Sequence, residues 1–348
     1  MIKFQQKIFA FFKLIMSFQE FLQSHHHINQ NFTFTKDRLP IIRDELEEGL
    51  SQSPYAEKMC IVVTGSYGRY EASSESDMDL FWFVDADMPD VPEEALKDEI
   101  KIINEIIFKH VPKEAGSTGT FGPSAIVSQS ELVGNIGGKK DSNENMTRRM
   151  LLLLEGTHLY NQNKFNNIRK NLIDKYIKVE QNPKQIPRFL LNDIIRYYRT
   201  IATDFEFKVS EDSKEWGLRN IKLKFSRKFL YFGGLIAVAE LLDVHEIEQQ
   251  KIKLENIFDK TVFERVFLCA DKHKLMDEMN NIFDLYSNFI EKISNPEIRL
   301  KLESTTKTER NDSDVYRELR SDGIKFSEGM EDFLHKAFKD KFISFLIF

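Results

Sequence analysis

The chain has 348 residues, 41% of them apolar and 30% charged, enough for two domains with separate cores and ordinary for a globular protein. A net charge of −6 argues against nucleic acid as the partner of the chain as a whole, and two distant cysteines exclude a disulfide framework. Cys60 and Cys269 both lie in apolar runs and read as buried thiols of a reducing, cytoplasmic compartment.

Met1 to Phe18 is apolar but broken by Lys3, Lys7 and Lys13, and no small-residue cleavage site precedes Gln19-Glu20. It reads as an amphipathic helix, or as an extension ahead of a start at Met16, with interfacial membrane contact as the alternative, and not as a signal sequence. No run of 18 apolar residues occurs, so no membrane insertion is expected. Residues 1–35 are taken as an N-terminal helical extension, with His25-His26-His27 as a solvated helix end. Leu39, Ile42, Leu46 and Leu50 then recur at helical spacing and predict a helix over 36–53. A β-rich run at 59–64 breaks at Gly65-Ser66, and Ser66 opens a short helical turn. A second strand is expected over 78–84 and an amphipathic helix from Glu93 to His110. A third strand follows at 125–128, then a Gly-rich loop from Gly134 to Lys140. From Asn143 onward the patterns are helical with breaks, and Phe229 to Leu242 is apolar enough to be the central helix of that body. The expected class is α+β: a small mixed-sheet head at 36–155 and a larger all-helical domain at 156–348.

The chemistry concentrates in residues 62–85. In Asp77-Met78-Asp79-Leu80 the two carboxylates alternate with apolar residues, so on a strand they share one face. Two acids that close repel, and a divalent cation relieves the repulsion. Gly65-Ser66 supplies a small turn through which backbone can approach phosphate.

Gly65-Ser66, ten residues, then Asp77-Met78-Asp79-Leu80 resembles the signature of the DNA polymerase β-like nucleotidyltransferase superfamily. The fuller string from Gly65 to Glu71, ending in Ser76 to Leu80, is similar to the PII-uridylyltransferase-type branch. The resemblance implies that Asp77 and Asp79 hold Mg²⁺, with Mn²⁺ as a substitute, and that Gly65 and Ser66 cradle the phosphates of an NTP. Arg69 would neutralise phosphate charge or brace Glu71. The superfamily adds a third carboxylate from a later strand, but residues 124–128 contain none. Glu131 is the nearest candidate ligand, with Asp141, Glu144 and Glu155 behind it. The implied reaction moves NMP from an NTP to a hydroxyl of a protein side chain, a small molecule or an RNA end. The alternative is an inactive nucleotide-binding sensor on the same fold.

Between Lys184 and Lys228, eleven Lys/Arg outnumber six Asp/Glu. Arg188, Asn192, Arg196 and Arg199 fall on one helix face, and Arg219 and Lys222 share another. Arg196, Arg199, Arg219 and Lys222 are therefore the candidate phosphate ligands from the helical body.

Overall fold

A computed structural model describes residues 18–84, 93–111, 121–178, 186–210 and 215–347. The amphipathic reading of Met1 to Phe18 lies outside them except at its last residue. The described chain is mostly helical, with one four-stranded mixed sheet, an α+β arrangement.

Residues 18–24 are helical and lead through His25 into α1 (His26–Leu50). Leu39, Ile42, Leu46 and Leu50 form its buried stripe, as their spacing predicts. The helix starts ten residues earlier than that spacing suggested, because buried Asn31 and Thr35 continue the stripe with polar side chains. Asn31 donates to the Glu71 carbonyl and to Ser294 Oγ, both at 3.1 Å. His25 is buried against Phe283 rather than solvated.

After α1 come β1 (Met59–Val63), a single turn α2 (Gly65–Gly68), β2 (Leu80–Val84), α3 (Lys97–His110), β3 (Ile126–Ser128), α4 (Gln129–Gly134) and α5 (Asn143–Leu154). The sheet order is β3-β2-β1-β4, where β4 (Thr157–Tyr160) is a strand that hydropathy did not reveal. Thr-His-Leu-Tyr is too short to show a period, and the all-helical reading from 156 onward is corrected there. β1 runs antiparallel to both neighbours, with Val63 opposite Leu80, and β2 pairs β3 in parallel. Every residue of β1 and β2 is buried, which explains their unbroken apolar runs.

The two faces of the sheet differ. Met59, Ile61, Val63, Leu80, Trp82 and Val84 pack with α1 and α3. Cys60, Val62, Phe81 and Phe83 join a core that runs without interruption into the helical body. That body comprises α6 (Gln162–Tyr176), α7 (Arg188–Ser210), α8 (Gly217–Lys222), a π-helical turn (Leu223–Arg227) and α9 (Lys228–Ala239). It continues through α10 (Ile247–Phe258), α11 (Val262–His273), α12 (Met276–Ser294), α13 (Pro296–Ser304) and α14 (Asp314–Ile347). α9 is buried over nearly its whole length, as its composition predicts. Both cysteines are free and buried. No described helix is long and apolar enough to cross a membrane.

Candidate active site

The end of β1 and the approach to β2 are joined before β2 begins. Thr64 N–H donates to the Asp79 carbonyl at 2.8 Å. Gly65 then adopts φ +67°, and a Cβ built on it would lie 2.6 Å from Asp79 Oδ2. Both the backbone angle and the space demand glycine. A Gly65→Ala variant is expected to lose about 1–3 kcal/mol from strain and to displace the Asp79 carboxylate. The check is a urea melt beside a divalent-cation titration. Normal cation affinity in the variant would sink this reading of the contact.

Alternation carries through from β2 into the preceding residues. Met78 is buried with Leu80 and Trp82 against the α1 side, so Asp77 and Asp79 share the Phe81 face, which meets the helical body. Both acids are half-buried. Burial and the neighbouring Asp77 charge push the Asp79 carboxyl up to about 6, against the pull of Arg227 and Lys222. Lys222 is lowered to about 8 by burial and by Arg299, while Asp77 and Asp79 favour its charged form. Asp79 thus lies within electrostatic reach of Lys222 and Arg227, and Asp77 within reach of Lys222.

The π turn explains how both cations face the same way. Residues five apart on a regular α-helix diverge by about 140°. In the turn at Leu223–Arg227 the i→i+5 bonding stacks them instead, so Lys222 and Arg227 can both act on Asp79.

A buried ionic network lies next to the turn. Arg69 donates through Nε to Glu71 Oε1 at 2.7 Å and through Nη1 to Glu155 Oε2 at 2.5 Å. Glu155 Oε1 accepts the Gly65 N–H at 2.7 Å and has Arg227 Nη1 at 3.8 Å. The Tyr286 hydroxyl of α12 donates to Glu71 Oε2. Arg69, Glu71 and Glu155 are each at most 5% exposed, so Arg69 is engaged as a brace inside the protein. The Gly65 N–H is likewise committed to Glu155, leaving the Ser66 hydroxyl, half-buried at the start of α2, as the turn's nearest polar side chain.

The other candidates are spread out. Glu131 is exposed on α4, where its N–H meets Ser128 Oγ. Ala125, just before β3, and Val127 on it join the core shared with Phe81 and Phe83, so no acid enters from that strand. Among the described residues, the one group of three metal-type ligands within 4.8 Å of each other is Glu240, Cys269 and His273, away from the Asp pair. Glu240 there already bonds Lys272 and His273. Arg196 pairs with Asp141 at 3.2 Å, and exposed Arg199 shares an open cleft with it and Asn143. Half-buried Arg219, one turn before Lys222, forms no ion pair with a described residue.

Of the residues chosen from sequence, Asp77, Asp79, Gly65 and Lys222 come together. Arg227 and Tyr286 were missed: one is a charge within a basic run, the other an aromatic in an unmarked helix. Glu155 was weighed only as a metal ligand. No protein-family model matches this chain, and no curated protein matches it.

Proposed function

We propose that the chain is a nucleotidyltransferase that moves NMP from an NTP to an acceptor hydroxyl and releases pyrophosphate. The observation that carries the reading is the acidic pair Asp77/Asp79 set opposite Lys222 and Arg227 beside a glycine turn that admits no Cβ. A carboxylate pair with one member held at raised pKa by burial and by its neighbour suits a hard divalent cation, Mg²⁺ or Mn²⁺, held through Asp77 and Asp79. Such an ion, when bound, supplies charge neutralisation at the triphosphate and at the α-phosphorus.

The chain's own groups account for the rest. Lys222 and Arg227 offset negative charge on the β- and γ-phosphates, one as a point charge and the other as a planar fork. The Ser66 hydroxyl is positioned to donate to a phosphate oxygen, and Gly65 leaves room for that approach. The acceptor oxygen forms its bond to the α-phosphorus, the bond to the bridging oxygen breaks, and the hydroxyl proton passes to solvent. Catalysis of this kind rests on positioning and electrostatics. Acceptor classes that suit the site are a protein side chain, a small molecule and an RNA end.

A second reading, a nucleotide-binding sensor, is favoured by one observation: Val127 on β3 and Ala125 just before it, not a carboxylate, come to the acidic face. One experiment separates the two. Each α-labelled NTP is incubated with the chain, Mg²⁺ or Mn²⁺ and cell lysate, beside an Asp77→Ala/Asp79→Ala variant. Label moved to a protein, RNA or small molecule by the parent alone is the expected result. NTP binding without transfer under any condition would leave the sensor.

A further inference from the structure

A cavity of about 460 Å³ lies beside β4, between α1, α6 and α11, within the size range of small-molecule sites. Neither Asp77 nor Asp79 lines it, but Gly68, Tyr70 and Glu155 do, so it shares a wall with the candidate active site. Five cationic side chains and three carboxylates face it, in a chain whose net charge is negative.

The carboxylates are already committed. Glu155 is held by Arg69, Asp259 pairs with Arg169 at 2.8 Å, and Glu264 closes the capping box of α11 with Thr261. Two guanidinium groups have only neutral partners among the described residues. Arg43 donates to the His158 carbonyl at 2.9 Å and to Thr157 Oγ1 at 3.2 Å. Arg265, 4% exposed, donates to the carbonyls of Leu154 at 2.6 Å, Ile257 at 3.0 Å and Phe258 at 3.3 Å. Burial and the Arg169 charge lower its guanidinium to about 9. Glu264, Glu155 and Asp259 offset part of the Arg265 charge, but five cations against three committed carboxylates leave this wall short of negative charge. Residues 1–17, which precede Phe18 on the cavity wall, carry three lysines and no carboxylate and cannot supply it. Phe32, Tyr70 and Phe165 add ring faces to the same wall.

We infer that this cavity binds a phosphorylated small molecule bearing a flat ring, of nucleoside monophosphate size, with its phosphate at Arg43 and Arg265 and its ring among Phe32, Tyr70 and Phe165. The site is separate from the acidic pair and does not depend on nucleotidyl transfer.

The test is equilibrium dialysis of the full chain carrying Asp77→Asn and Asp79→Asn with inorganic phosphate, AMP, GMP, CMP and UMP at millimolar concentration. At least one monophosphate is expected to bind one per chain and more tightly than phosphate. Arg43→Gln should weaken it about tenfold or more, the loss of one charge-assisted bond. Lys36→Gln, at an exposed position on the rim that leaves the core untouched, should weaken it about threefold. Absence of binding by all five probes overturns the site, as does binding indifferent to both substitutions. Phosphate bound as tightly as every monophosphate overturns the ring assignment.

Discussion

Asp79→Asn is expected to make the cation-free chain more stable at neutral pH while removing the response to Mg²⁺ that the proposed function requires. The Asp79 carboxyl, ordinarily at 3.8, is raised to about 6 by burial and by Asp77. Between those values the folded chain holds a proton that the unfolded chain has released, so stability falls as pH rises through this window. Above it the full cost of an ionised, repelled carboxylate remains, about 1–3 kcal/mol. Asparagine keeps the shape and removes the charge. The gain in melting temperature should therefore be near zero at about pH 4 and complete at about pH 7. Mg²⁺ should stabilise the parent above about pH 6 and do less below it, where it competes with the proton. Scanning calorimetry across pH, with and without Mg²⁺, reads both effects. A variant less stable than the parent at neutral pH would show that the Asp pair is not under repulsive load.

Arg69→Met should be among the most damaging single changes in the molecule, at about 3–5 kcal/mol. It leaves Glu71 and Glu155 without their shared counter-charge in a dry interior. Tyr286→Phe removes one hydrogen bond from the same network and should cost about 1–2 kcal/mol. Adding Glu71→Gln to Arg69→Met should recover part of the loss, because one orphaned charge disappears with it. Urea denaturation of the single and double variants decides the matter. Additive losses with no recovery would mean that Arg69 acts through packing and not through charge.

The parts legible in the sequence are those whose chemistry is local. Gly65, Ser66, Asp77 and Asp79 sit within one strand–turn–strand unit, where spacing alone sets which side chains share a face. The stripe from Leu39 to Leu50 was legible for the same reason, and its continuation through Asn31 and Thr35 was not, because burial of an amide and a hydroxyl depends on distant partners such as Ser294. β4 is too short to carry a period, and it exists because β1 offers it an edge. Glu155, just past the end of α5, has the look of a solvated terminal residue, yet it receives Gly65 and Arg69 from one segment and Arg227 from another. Arg227 could not be told from Arg219 or Lys224 in a basic run, since a regular helix turns it away from Lys222.

A π turn is an α-helix carrying one extra residue, here within Leu223–Arg227, between Lys222 and the helix beyond. Excising one uncharged residue from it would let the helix close into regular geometry with Lys222 and Arg227 four apart, about 40° from one another. The sequence would keep every charge it now has, and both side chains would remain on one helix face. The π turn thus lets five positions span the angle that four span in a regular helix.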